Sequence, residues 1–233
     1  TYNNGTADVT EVFEGFKVDT AFTPNIDSRP LRYSYATSDA YNYGNLNDKP
    51  RVSFPYTPIY DNETRLHNAG AGLPFAFSGD FTIFLVSAWR TDVTATIESL
   101  FTLSTSNPAL GRIEIGHRQI NEFEAIVYDG SNTISTVGTS TGAHASGEVS
   151  TYRLKGDTLF VSANGGTVFS TTTAGFNGVG KFVGAMNVGY SPDVTTNKLG
   201  AAVSEIIIYD SSLEDIQIAQ IERYLMNKYE IAT

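Results

Sequence analysis

The chain has 233 residues, a formal net charge of −10 and a sequence pI of about 4.7. This length suits one large domain or one domain with an arm, and a hydrophobic content of 41% is that of a globular chain. The acidity argues against a nucleic-acid partner and an anionic membrane surface; no apolar run reaches the roughly 18 residues of a membrane span. With no cysteine, disulfides, thiolate metal sites and thiol nucleophiles are excluded.

Residues 1–60 hold seven of the 13 tyrosines and five of the eight prolines, so long loops and edge strands are expected there. Val9–Val18 predicts an early strand around Phe13 and Phe16. The pairs Tyr33/Tyr35 and Tyr41/Tyr43 have strand spacing, and each reads first as packing on the main body or a partner, then as a ligand surface. The organisation expected is a Tyr/Pro-rich arm or elaboration over 1–50 and a main domain over 51–233. Asn4-Gly5-Thr6 and Asn62-Glu63-Thr64 fit the N-glycosylation acceptor pattern, which is common by chance.

From Arg51–Phe54 onward the text becomes regular. Phe77-Ser78-Gly79-Asp80 predicts a turn, and Phe81–Trp89 is apolar on both faces, as a central strand is. Strands are expected at Glu98–Ser104, at Arg112–Gly116 and at Glu122–Tyr128, followed by an Asp129-Gly130 turn. Residues 131–150, rich in Ser, Thr and Gly, read as a loop or weak edge strand. Val149–Leu154 and Thr158–Ala163 flank Gly156-Asp157, and Asn164-Gly165 turns the chain into Thr167–Thr171. Gly184–Tyr190 is another strand, and 191–199 a loop.

The last stretch reads VSEIIIYDSSLEDIQIAQIERYLMNKYEI. Ile206, Ile207 and Ile208 have the composition of a buried strand. From about Glu214 the period turns helical, with Ile218, Ile221 and Leu225 on one face. Ser211 and Glu214 have capping-box spacing. Short strands, frequent turn signals and one terminal helix give an all-β sandwich.

Several stretches resemble laminin-G-like (concanavalin A-like) jelly-roll domains of bacterial and phage surface proteins. They are the tail, with Tyr209, Asp210, Leu213, Asp215, Ile221, Glu222, Tyr224, Leu225, Lys228, Tyr229 and Ile231, together with FSGDFTIFLV, YRLKGDTLFVSANGGTVF and GAMNVGY. The resemblance covers about residues 50–231. It implies a concanavalin A-like jelly-roll β-sandwich with one C-terminal helix. It also implies a module recognising glycans or other cell-surface material, outside the cell or on a virion.

Chemistry-bearing residues are sparse. His67, His117 and His144 lack metal-site spacing and read as polar surface or loop histidines. Glu122 and Glu124 share one strand face, as do the carboxylates of jelly-roll glycoside hydrolases, where one attacks and one donates a proton. The plainer reading is an exposed acidic face, since the third carboxylate of that pattern is missing. His117-Arg118-Gln119-Ile120 carries the residue types of an alginate-lyase site in the wrong order and counts as chance. No G-x-S-x-G, G-x-G-x-x-G or P-loop is present. No cofactor is required. Calcium is the ion the resemblance suggests, with Asp129, Asn187 and Asp193 as candidate ligands. Trp89 and Tyr190, with Asp193 beside the latter, are candidates for sugar stacking and hydroxyl binding.

The function expected is non-catalytic binding of a glycan or cell-surface polymer, with no membrane insertion. One alternative is a purely structural virion or surface-layer component that assembles with itself or neighbouring subunits through residues 1–60. The other is a polysaccharide hydrolase or lyase using Glu122 and Glu124.

Overall fold

The computed structural model describes residues 32–34, 51–54, 66–67, 79–89, 98–104, 111–119, 122–139, 147–176, 185–188 and 201–232. The strand expected at Val9–Val18 lies outside them. The strands in chain order are β1 (Arg32–Ser34), β2 (Arg51–Phe54), β3 (Leu66–His67), β4 (Phe81–Trp89), β5 (Glu98–Ser104), β6 (Arg112–Gln119) and β7 (Glu122–Tyr128). They continue with β8 (Thr133–Thr139), β9 (Glu148–Lys155), β10 (Thr158–Ala163), β11 (Phe169–Thr172), β12 (Ala185–Val188) and β13 (Ala201–Tyr209), before helix α1 (Asp215–Tyr229).

Two antiparallel sheets form the sandwich. One runs β1-β2-β13-β4-β9-β10-β11, the other β3-β12-β5-β6-β7-β8. Pairing of β1 with β2 brings Arg32–Ser34 into the first sheet beside Arg51–Phe54. The Ser/Thr-rich stretch expected to be loop or weak edge strand contains β8, which lies at the edge of the six-stranded sheet and pairs with β7 along its whole length. Its Ile134 and Thr136 point inward, and Thr136 Oγ1 donates to the Leu159 carbonyl across the sandwich at 3.1 Å. Gly138 faces Phe123 in that ladder, and the Phe123 ring occupies the space a Cβ on Gly138 would need.

At its centre the seven-stranded sheet buries both faces. Along β4, Phe81, Ile83 and Leu85 enter the core between the sheets, while Phe84, Val86 and Ala88 face the helix. Its neighbour β13 does the same with an irregularity at Ser204, where the register shifts. One extra residue reverses the alternation. Val203 and Ile206 therefore both reach the inner core, and Glu205, Ile207 and Tyr209 face α1. Helix α1 covers that outer layer with Leu225, Met226 and Tyr229. Burying Leu225 and Met226 contributes roughly 1.5–3 kcal/mol each.

The helix starts later than Ser211 and Glu214 suggest. Glu214 is the N-cap, in a capping box with Gln217, whose Oε1 accepts from the Glu214 backbone N–H at 3.0 Å. Thr82 explains the delay. Its hydroxyl donates to the Ser211 carbonyl and accepts from the Leu213 N–H, holding the link extended. At the other end Glu230 adopts a left-handed conformation and the Ile231 N–H closes on the Met226 carbonyl. Among the described residues no helix is long and apolar enough to cross a membrane.

Helix and sheet are also tied by Glu205, whose Oε2 accepts from Lys228 Nζ at 2.8 Å and from the Tyr229 hydroxyl at 3.0 Å. The Glu205 hydrogen bond holds the Lys228 ammonium above the usual lysine range. Burial, then the Glu205 charge, pushes the Tyr229 phenol up. Both values are raised in the folded state. The stabilisation is thus complete below the unfolded values of about 10 and is lost as pH rises through the folded ones. Urea denaturation at rising alkaline pH should show a steeper loss of stability in the wild type than in Glu205→Gln. Parallel loss in the two proteins would contradict this coupling.

Candidate functional site

The hairpin of β9 and β10 has a two-residue link, Gly156-Asp157, so Lys155 pairs with Thr158. Counting back places Arg153 opposite Phe160 and Thr151 opposite Ser162. Tyr152 and Leu154 point into the inner core. Thr151 and Arg153 therefore point to the helix side, and with Phe160 and Ser162 they form the floor of a groove.

One wall of the groove is α1. Asp215, Ile218, Ala219 and Glu222 recur at i, i+3, i+4 and i+7 and so line one helix face. The other wall is the turn after β10, with Gly165, Gly166 and Val168. Asn164 and Gly165 both have positive φ (51° and 64°), the pattern of a tight hairpin turn that favours Asn-Gly. Asn164 anchors the turn to β9, its backbone N–H donating to the Val149 carbonyl and its Oδ1 accepting from the Val149 N–H, both at 2.8 Å. The enclosed space is about 180 Å³. Val168 and Ile216 are exposed apolar side chains nearby.

The polar centre is Glu222, only 6% exposed although it lies in the helix stripe that packs on the sheet. Its Oε1 accepts from Thr151 Oγ1 at 2.6 Å and from Ser162 Oγ at 3.1 Å. Its Oε2 lies on the Gly165 side, 3.8 Å from where a Cβ there would stand. Arg153 is committed elsewhere. Its Nη1 donates to Asp215 Oδ1 at 2.6 Å and to the Leu213 carbonyl at 3.0 Å, and its guanidinium lies 4.6 Å over the Phe160 ring. Among the described residues, Arg153 Nε finds no acceptor. The groove thus offers an aromatic ring, a buried carboxylate with two hydroxyls held on it, and backbone at two glycines. That set suits a ligand carrying both C–H faces and hydroxyl or amine groups.

The residues singled out from sequence lie elsewhere. Glu122 and Glu124 share the outer face of β7, where Glu114 of β6 joins them diagonally from Glu124. Glu124 is not part of an exposed acidic face. It is 6% exposed, its Oε1 accepts from Ser135 Oγ, and its Oε2 has no partner among the described residues. Glu114 accepts from the Ser99 hydroxyl and lies 3.7 Å from Arg112 Nε. His117 is not a surface histidine either. The alternation Ile113, Ile115, His117 aims it inward, where Nε2 meets Glu148 Oε1 of the opposite sheet at 3.6 Å. Burial and then the Glu148 charge push the nearby Tyr152 phenol up.

Asp129 sits in the β7–β8 turn, where Oδ1 accepts from the Ser131 and Asn132 backbone N–H groups. Asn187 lies on β12, opposite Thr102 and His67. Three strand spacings, about 14 Å, separate β7 from β12, too far for one calcium ion to bind both residues at 2.3–2.6 Å. Trp89 ends β4 opposite Ala201. Tyr190, Asp193 and His144 lie outside the described residues.

Of the groove residues, the sequence singles out Glu222 and Asp215 as tail-motif positions, Ile218 on the apolar helix face and Gly165 in a turn, none of them as a binding residue. A signal was present. Glu222 falls at i+4 from Ile218 and i−3 from Leu225, so an acid stands in the middle of the apolar stripe. If the two hydroxyls hold this carboxylate in place, Thr151→Val should lower stability by about 1–3 kcal/mol, as expected for a buried acceptor losing its shorter donor. Guanidinium denaturation measures it, and an unchanged midpoint would show that the hydrogen bond is dispensable.

Comparison with solved structures identifies the fold. The chain superposes over 74% of its length on 81% of a native heptameric SAP-like pentraxin from Limulus polyphemus, with TM-score 0.57 and 14% identity. It matches 97% of the CBM40 module of a Ruminococcus gnavus IT-sialidase, solved bound to alpha2,3 sialyllactose, over 73% of this chain with TM-score 0.52 and 12% identity. It also matches the binding domain of botulinum neurotoxin serotype G over 85% of this chain and 47% of that one, with TM-score 0.58 and 7% identity. At these identities the likeness is one of fold, a jelly-roll β-sandwich. No family model matches the sequence, and no curated protein matches it significantly.

Proposed function

We propose that this chain is a glycan-binding module of the laminin-G-like, concanavalin A-like kind, acting outside the cell by binding rather than by catalysis. The observation that carries this reading is the groove between α1 and the β9–β10 hairpin. Its volume of about 180 Å³ suits a single sugar ring. Phe160 borders it for stacking on sugar C–H groups, and Thr151, Ser162 and Glu222 present hydrogen-bonding atoms a few ångströms away. The fold supports it, since one neighbour of similar shape was solved with a sialylated sugar and others are a pentraxin and a toxin binding domain. In this reading residues 51–233 form the binding domain, and of residues 1–50 the described segment Arg32–Ser34 pairs with β2.

The test is a glycan array followed by calorimetry on the hits, run with calcium and with EDTA. A glycan bound by the wild type should lose roughly tenfold or more in affinity on Phe160→Ala, an effect typical of removing a stacking ring. It should be unaffected by Glu124→Gln on the opposite sheet. A folded sample that binds no glycan would overturn the reading in favour of a structural component. Release of reducing sugar that disappears in Glu124→Gln would overturn it in favour of a hydrolase.

A further inference from the structure

We propose that the groove is specific for a sugar bearing a protonated amine, a 2-amino-2-deoxyhexose unit, and excludes sialic and uronic acids. This rests on the glycan reading above and adds the charge class of the ligand.

The argument is one of charge complementarity. The fixed charges lining the groove are Arg153, Asp215 and Glu222, one positive against two negative. The positive charge is largely engaged or shielded. Arg153 Nη1 donates to Asp215 at 2.6 Å and to the Leu213 carbonyl, its guanidinium carbon lies 4.6 Å from the Phe160 ring centroid, and its Nε, without an acceptor among the described residues, is buried away from an entering ligand. The flanking Lys155 lies 3.9 Å from Glu214, another acid. A carboxylate-bearing sugar would therefore enter a site with no available counter-charge, on a chain of net charge −10.

Glu222 supplies the opposite preference. A carboxylate 94% withdrawn from solvent is costly unless donors satisfy it. Two hydroxyls satisfy Oε1, and both point their protons at it. Oε2 lies beside Gly165, where the missing side chain leaves space for a ligand donor. An ammonium reaching Oε2 would form a charge-assisted hydrogen bond in a shielded place, stronger than a neutral hydroxyl could make. The ring carrying that amine would lie along Phe160 and the Val168 side of the groove.

The experiment is calorimetry of the full chain with four probes: a glucosamine oligosaccharide, its N-acetylated counterpart, alpha2,3 sialyllactose and a lysine-bearing peptide. The expected result is preferential binding of the glucosamine oligosaccharide, lost when pH is raised above the pKa of its amine. Glu222→Gln should weaken that binding by roughly ten- to a hundredfold. Should that variant not fold, Ala219→Lys, at an exposed helix position in the groove lining, sets a cation there without touching the Thr151 and Ser162 bonds, and should weaken binding in the same direction. Equal or tighter binding of the N-acetylated or sialylated sugar, or glucosamine binding indifferent to both variants, would overturn the amine preference while leaving a glycan module. Binding of the lysine peptide alone would also overturn it. No binding of any sugar would sink the glycan reading itself.

Discussion

The centre of the seven-stranded sheet has to bury both of its faces, and β4 and β13 carry that demand. Neither strand can follow a simple in–out alternation of apolar and polar residues. In β4 the solution is an almost unbroken apolar run from Phe81 to Ala88. In β13 it is the irregularity at Ser204, which lets Val203 and Ile206 both face the inner core. Were the alternation regular through Ser204, the three isoleucines would be turned over, and Glu205 would point into the sandwich. With the irregularity, Glu205 meets Lys228 and Tyr229 under the helix.

The position of α1 follows, and the groove follows from α1. Thr82 holds the link at Ser211 and Leu213, and Leu225, Met226 and Tyr229 anchor the second half of the helix over β4 and β13. The first half extends toward β10, where the floor is Thr151, Arg153, Phe160 and Ser162 rather than a row of aliphatics. A polar floor under an apolar helix would leave groups unsatisfied. Glu222 resolves this by accepting from both hydroxyls, and Asp215 by pairing with Arg153. The same groups that close the helix on the sheet give the groove its chemistry.

Much of the fold is legible in the sequence because it rests on local period. Phe81–Trp89, Glu122–Tyr128 and Thr158–Ala163 can be read from apolar pattern and turn residues alone. β8 is harder, because Ile134, Thr136 and Gly138 bury a face whose composition looks like loop. The helix start is displaced by Thr82, a contact across 129 residues that no local rule contains. The inward placement of His117 is hidden for a similar reason: Glu148, which it meets, comes from the opposite sheet. The groove lies between these cases. Register across Gly156-Asp157 pairs Thr151 with Ser162 from sequence alone, and Glu222 stands out in its stripe, but only the docked helix brings the three together.

The most direct test of the central claim is a backbone amide NMR titration of the full chain with the glucosamine oligosaccharide. Shifts concentrated at Thr151, Phe160, Ser162, Gly165 and Glu222 are the predicted result. Shifts confined to the outer face of the six-stranded sheet, around Glu114 and Glu124, with the groove amides unmoved, would contradict it.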